Sequence, residues 1–158
     1  MRLPWYRILA VDDVEPSRLL LQKMLTAVGF EVNQASNGEE AIAVWQEWRP
    51  HLILMDMRMP VMDGYEATEG IKSQPEGENT VIIALTASAF EEERLIILSA
   101  GCDDFIRKPF KESELLETIG RYLKLDYIYA DETEIPNLRD LNSQQTMESR
   151  KNNLPISS

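Results

Sequence analysis

Short apolar stretches alternate in this sequence with longer amphipathic ones, and five polar residues lie at the ends of the short stretches. They are Asp12, Asp13, Asp56, Thr86 and Lys108. Carboxylates without an accompanying His or Cys are hard oxygen ligands of the kind that Mg²⁺ prefers. A lysine ammonium pairs with a carboxylate or a phosphoryl oxygen, and a carboxylate can act as the nucleophile that accepts a phosphoryl group. The set therefore predicts magnesium-dependent phosphoryl chemistry, provided that the fold brings its members together.

The stretches that surround these residues predict alternating strands and helices. Strands are predicted over residues 8–11, 31–35, 52–55, 81–85 and 104–107. Three of them are continuously apolar, as expected for parallel strands covered on both faces. Helices are predicted from Pro16 to a C-cap at Gly29, from a capping box at Asn37 to Pro50, and over 65–72, 89–100 and 112–123. The pattern predicts a right-handed, doubly wound α/β fold with a five-stranded parallel sheet.

The predicted fold places the five polar residues at one edge of the sheet. An acid after a strand is usually a turn residue or a helix cap when it is taken alone. Ligands in open α/β sheets bind at the carboxyl ends of the strands, however, and all five residues fall at that edge. Asp56 follows an apolar strand without a break, and a buried carboxylate must neutralise or acquire partners. We therefore expect the five side chains to form one site.

Composition excludes several classes of protein. The formal net charge of −11 at pH 7 argues against a nucleic-acid partner, which would need a basic face. The single cysteine, Cys102, rules out an intramolecular disulfide and favours a reducing compartment. No apolar run is long enough to span a bilayer, so we expect a cytoplasmic domain without direct membrane contact, even where a parent kinase is membrane-anchored. His51 is predicted as a loop residue, because it lies between a helix-ending proline and a strand.

The organisation along the chain predicts one domain and a tail. The alternation of strands and helices occupies residues 1–125. Residues 126–158 are polar and acidic and carry no helical or strand periodicity. We expect this tail to be mostly disordered, since it offers too little apolar surface to bury.

Four motifs together resemble the receiver domain of two-component response regulators. They are AspAsp (12–13), MetAspMetArgMetProValMetAspGly (55–64), LeuThrAla (85–87) and LysProPhe (108–110). The resemblance covers about residues 7–123, with the motifs in the family's order and spacing. It implies a flavodoxin-like sheet with strand order 2-1-3-4-5.

The resemblance also implies a role for each site residue. Asp56 would be the phosphoacceptor, and Mg²⁺, or Mn²⁺ in its place, would be held by Asp12, Asp13, Asp56 and the backbone carbonyl of Met57. Thr86 and Lys108 would contact the phosphoryl group, and the peptide between Lys108 and Pro109 would be cis.

Partners and output follow from the same resemblance. The donor would be a phosphohistidine on a histidine kinase or a histidine-phosphotransfer domain, and the receiver would catalyse only its own phosphorylation and dephosphorylation. Phosphorylation would change the face made by the fourth helix, the fifth strand and the fifth helix. A dimer through that face is one option, and the sequence leaves the oligomeric state open.

Four positions are expected to determine the switch and the lifetime of the phosphoryl group. Thr86 and Phe105 would form the switch pair, although Phe105 replaces the family's frequent Tyr and has no hydroxyl. Arg58 and Ser88, two residues after Asp56 and Thr86, should tune the phosphoryl lifetime.

Alternative functions are weighed against the same residues. The runs AspAspValGluProSerArg and ThrAlaSerAlaPheGluGluGluArg resemble receivers at the C-terminus of hybrid sensor histidine kinases, with a free-standing single-domain regulator as the alternative. A magnesium-dependent phosphatase with an aspartyl nucleophile is more remote, because such enzymes want a second Asp where this chain has Arg58. A dinucleotide-binding fold is excluded, since no G-x-G-x-x-G follows the first strand.

Overall fold

The computed structural model describes residues 6–87 and 90–125. Their strands are β1 (Arg7–Val11), β2 (Glu31–Ala35), β3 (Leu52–Asp56), β4 (Val81–Thr86) and β5 (Asp104–Arg107). Their α-helices are α1 (Glu15–Val28), α2 (Gly38–Trp48), α3 (Gly64–Lys72), α4 (Glu91–Ser99) and α5 (Glu112–Leu123). A short 3₁₀ helix, Pro75–Asn79, precedes β4. The predicted tail over 126–158 lies outside the described residues.

The chain divides into two compact units. The first, Arg2–Ile119, contains the sheet, the helices α1 to α4 and most of α5. The second begins at Gly120, and its described residues complete α5 and end with the Leu125 N–H donating to the Gly120 carbonyl at 2.8 Å. Within the described parts of the chain, no helix combines the length and the apolar character needed to cross a membrane.

The five strands form one parallel sheet in the order β2-β1-β3-β4-β5, which confirms the predicted fold. The register aligns the strand ends: Val11 lies opposite Met55, and Asp56 lies opposite Leu85. Crossover helices join the strands, because parallel neighbours cannot be connected by a tight hairpin. Aligned ends place the residues that follow the strands at a common edge.

The three central strands provide most of the buried core. All five residues of β3 are buried, as are four of the five in β1 and five of the six in β4. Strands covered by helices on both faces bury both sets of side chains, which explains the continuous apolar runs. Cys102 is buried as well, as expected for a small core residue. Burial raises the pKa of its thiol to about 11, so this thiol is a poor nucleophile.

Local signals fix where the helices begin and end. The Asn37 side chain caps α2 by accepting from the Glu40 N–H at 2.8 Å. Glu40 reaches back to the N–H of Ser36, one residue before the cap, at 2.7 Å. Gly29 ends α1 with φ 120°, a left-handed conformation that glycine adopts without steric cost. The fourth helix begins at Glu91, two residues later than predicted.

His51 lies in the predicted loop but is more than a surface residue. Its backbone N–H donates to the Arg7 carbonyl at 2.9 Å, and its Nδ1 accepts from the Arg7 N–H at 3.0 Å. The Arg7 guanidinium in turn donates to the carbonyls of Trp48 and Arg49 at the end of α2. Partial burial, and then the charge of Arg7, lower the pKa of His51 below its usual value. Arg7 and His51 thus hold the beginnings of β1 and β3 together at the amino end of the sheet.

We expect Thr80→Val to destabilise the fold by about 1–3 kcal/mol, because it leaves a buried indole N–H without an acceptor. Trp45 is fully buried, and its Nε1 donates to the Thr80 hydroxyl at 3.0 Å. Urea unfolding measures the change. Thr80→Ser keeps the acceptor and should cost clearly less, and an equal loss in both variants would contradict the role of this hydrogen bond.

Acidification should weaken the Arg7–His51 junction. Since the pKa of His51 is lower in the folded state, the unfolded chain binds more protons as pH falls from about 6.5 towards the folded value. Stability is therefore present above the unfolded pKa and is lost across that window. The free energy of unfolding between pH 8 and pH 5.5 should fall further for the wild type than for His51→Asn, whose amide oxygen accepts without titrating. Parallel pH profiles would rule this out.

Candidate functional site

Three carboxylates meet at the carboxyl-end edge of the sheet. Asp12 and Asp13 follow β1, and Asp56 is the last residue of β3. One oxygen from each lies within 4.8 Å of the other two. Asp12 is 1% exposed and Asp56 is 8% exposed, whereas Asp13 is open to solvent. Three negative charges this close repel one another unless cations compensate them.

The backbone around Asp12 fixes the direction of its side chain. The Asp12 N–H continues the sheet by donating to the Ala35 carbonyl at 3.1 Å. The Val14 N–H donates to Asp12 Oδ1 at 2.9 Å, and Arg18 Nη1 donates to the Asp12 carbonyl at 2.8 Å. Arg18 also donates to the side chain of Gln34 on β2. Sequence inspection missed Arg18, because its contact depends on where α1 crosses the sheet.

Lys108 supplies a positive charge at this edge. Its Nζ lies 3.5 Å from Asp12 Oδ2 and 3.7 Å from Asp56 Oδ1. The residue comes directly after β5, where its backbone N–H donates to the Thr86 carbonyl at 2.8 Å. The peptide that links it to Pro109 is cis. One ammonium therefore faces two carboxylates, and the cluster keeps a negative charge.

The surroundings of Asp56 raise the pKa of its carboxyl group. Burial raises the pKa of Asp56 to about 6, Lys108 opposes the shift, and Asp12 and Asp13 add to it. A divalent cation would favour the charged form and offset the repulsion. The donor set consists of carboxylate oxygens without a nitrogen or sulfur ligand, which fits Mg²⁺.

The loop after β3 folds back so that Gly64, at its end, contacts its first residue, Met57. The Met57 carbonyl, the predicted fourth protein ligand, accepts from the Gly64 N–H at 3.1 Å and retains a second lone pair. A Cβ on Gly64 would lie 2.5 Å from the Asp56 carbonyl oxygen, so only glycine fits there. Asp63 caps α3 by accepting from the Glu66 N–H at 3.0 Å. Gly64 thus shapes the site by allowing the start of α3 to approach the backbone of Asp56.

The predicted switch pair lines a cavity of about 250 Å³. Thr86 is buried at the end of β4, and Phe105 on β5 is half-buried. The Arg94 guanidinium lies 5.5 Å from the centroid of the Phe105 ring, a cation–π distance. Ile97 of α4 lines the same cavity.

Of the two residues predicted to tune the phosphoryl lifetime, the structure describes Arg58 alone. The Arg58 N–H lies 3.4 Å from Asp56 Oδ1, and its guanidinium reaches Glu93 Oε1 on α4 at 3.3 Å. Ser88 lies outside the described residues. The structure therefore brings together Asp12, Asp13, Asp56 and Lys108, with the Met57 loop beside them.

In metal-free buffer at pH 7.5, we expect Asp56→Asn to raise the free energy of unfolding by about 1 kcal/mol. The pKa of Asp56 is higher in the folded state, so above both pKa values its negative charge opposes folding. Chelator-treated protein and urea unfolding provide the measurement. Asp63→Asn is the matched control, since asparagine caps a helix as well as aspartate does. A loss of stability in the Asp56 variant would be the contrary result.

Comparisons with known proteins agree with this geometry. The profile of the response regulator receiver domain matches residues 8–120. The chain is 38% identical over 118 residues to "Probable transcriptional regulator ycf27" of Pyropia yezoensis, covering 75% of this chain and 47% of that protein. The chain thus spans about half the length of this curated relative.

Two solved structures share the fold, one with a bound magnesium ion and the other with a bound partner protein. The receiver domain of sensor histidine kinase PA1611 from Pseudomonas aeruginosa, with magnesium coordinated in its active-site cleft, has a TM-score of 0.71 at 38% identity, covering 75% of this chain and 98% of that one. The receiver domain of Ssk1, in complex with the histidine phosphotransfer protein Ypd1 of Saccharomyces cerevisiae, has a TM-score of 0.70 at 29% identity, covering 74% and 88%.

The strand order, the acidic edge and the match over residues 8–120 lead to one conclusion. This chain belongs to the response regulator receiver domains of two-component signal transduction.

Proposed function

We propose that this receiver accepts a phosphoryl group from a phosphohistidine onto Asp56 in a magnesium-dependent reaction. The observation that carries the proposal is the cluster of Asp12, Asp13 and Asp56, with Lys108 Nζ within 3.7 Å of Asp56. In this arrangement a nucleophilic carboxylate lies next to two acids that can hold a cation and to a fixed ammonium. Such a site favours phosphoryl transfer by positioning and by charge neutralisation.

The protein groups divide the work of the transfer. One Asp56 oxygen attacks phosphorus, the bond from phosphorus to the donor imidazole breaks, and the imidazole nitrogen keeps the electron pair. Lys108 neutralises charge on the phosphoryl oxygens, and Thr86 donates its hydroxyl to one of them. Mg²⁺ or Mn²⁺, held by Asp12, Asp13, Asp56 and the Met57 carbonyl, supplies further charge neutralisation when bound.

The signal then leaves through α4, β5 and α5. Reorientation of Thr86 towards the phosphoryl group frees the space into which the Phe105 ring moves, and this shifts a pre-existing equilibrium between two states. The cavity that both side chains line supports this step. Phe105 has no hydroxyl, so its ring contacts Arg94 by a cation–π interaction and offers no hydrogen bond in either state.

The relatives support a class of phosphodonor and a host for this receiver. The complex of Ypd1 with the Ssk1 receiver supports a histidine-phosphotransfer domain or a histidine kinase as the donor. The PA1611 receiver supports a hybrid sensor kinase as the host, in which residues 1–125 form a cytoplasmic receiver. A free-standing regulator is the alternative host. An aspartyl phosphatase is disfavoured, because such enzymes want a second Asp as general acid at the position that Arg58 occupies.

We expect the wild type to gain the mass of one phosphoryl group when it is incubated with Mg²⁺ and acetyl phosphate. Asp56→Asn should show no gain, since an amide oxygen is too weak a nucleophile. Intact-protein mass spectrometry follows the reaction, and chelation of the metal should abolish it. Asp63→Asn, which changes an acid outside the cluster, should react like the wild type. Absence of a gain in the wild type would refute the proposed function.

A further inference from the structure

Arg58 connects the phosphoacceptor loop to the first turn of α4. Its backbone N–H faces Asp56 Oδ1 at 3.4 Å, while its guanidinium extends away and meets Glu93 Oε1 at 3.3 Å. The two side chains differ in environment: Arg58 is 73% exposed, and Glu93 is 16% exposed. The arginine is therefore the movable member of the pair, and the glutamate is the fixed one.

The ion pair between Arg58 and Glu93 can break easily, and it contributes little to the stability of the fold. Exposed pairs contribute little to stability, so Arg58 can leave at small cost. Glu93 lies in the first turn of α4 beside Glu91 and Glu92, where the helix dipole favours acids even without a cation. Arg94 pairs with Glu91 at 3.5 Å and does not take the place of Arg58.

A phosphoryl group on Asp56 would compete for the same guanidinium. An acyl phosphate carries about two negative charges where the carboxylate carried one. Guanidinium forks match phosphoryl oxygens well, and only one residue separates Arg58 from Asp56 along the chain. A guanidinium over the phosphoryl group would also occupy the mouth of the site, through which a hydrolytic water must arrive.

We propose that Glu93 is a positioning residue that sets the phosphoryl lifetime by holding Arg58 away from the phosphorylated Asp56. This inference rests on the proposed function and adds a second control on the same site. With Glu93 in place, Arg58 divides its time between α4 and the phosphoryl group. Without the Glu93 charge, Arg58 covers the phosphoryl group more of the time and hydrolysis slows.

The test measures dephosphorylation after removal of acetyl phosphate. Glu93→Gln should lengthen the half-life by roughly two- to fivefold, as expected for loss of one ion pair whose arginine is exposed to solvent. Arg58→Ala should shorten it, and adding Glu93→Gln to Arg58→Ala should change nothing further. Glu92→Gln removes a neighbouring charge from the same turn and should match the wild type, whereas Glu93→Asp should restore most of the wild-type rate.

A second measurement uses the protein without metal or phosphoryl group. Nuclear magnetic resonance of the Arg58 Nε–H should show a shift in Glu93→Gln and none in Glu92→Gln, with the Arg18 signal as an internal reference. A purely structural role for Glu93 would instead lower the urea midpoint, which we expect to stay unchanged.

The outcomes separate the inference from the proposed function. If the wild type takes up no phosphoryl group, the proposed function fails, and this inference fails with it. If uptake is normal but Glu93→Gln and Glu92→Gln decay at the same rate, the inference alone is wrong. A further effect of Glu93→Gln in the Arg58→Ala background would also overturn it, because Glu93 would then act without Arg58.

Discussion

Repulsion among three carboxylates at one end of a parallel sheet is the constraint on which the site depends. Asp12, Asp13 and Asp56 bring oxygens within 4.8 Å of one another, and Lys108 compensates only part of their charge. Rigid strands keep the acids from moving apart, since β3 is buried along its whole length. The fold thus maintains an excess of negative charge that a divalent cation can offset.

Much of this arrangement could be predicted from the sequence, because its determinants are local. Apolar runs such as 52–55 define buried strands, and the Gly29 and Asn37 signals set helix ends. Once the sheet is parallel, residues that follow its strands must share an edge. Asp56 and Lys108 follow two strands of this sheet, and their side chains lie 3.7 Å apart.

Contacts between distant elements could not be predicted, because they depend on where the helices cross the sheet. Arg18 holds the Asp12 carbonyl, and Arg94 stacks on Phe105, yet neither arginine belongs to a recognisable spacing. The pairing of Arg58 with Glu93 joins residues that are 35 positions apart. His51 looked like a plain loop residue because its partner, the Arg7 N–H, belongs to another strand.

The candidate site lies at one end of the sheet, and contacts that stabilise the fold lie at the other. Asp12, Asp56 and Thr86 occupy the carboxyl end, whereas the Arg7–His51 junction and the Thr80 hydroxyl bound to Trp45 lie at the amino end. A strand of five residues separates the two ends by roughly 15 Å, beyond the range at which substitutions usually couple. Substitutions that stabilise the amino end should therefore leave the electrostatics of the acidic edge unchanged, so the protein can be made more heat-resistant without altering the site.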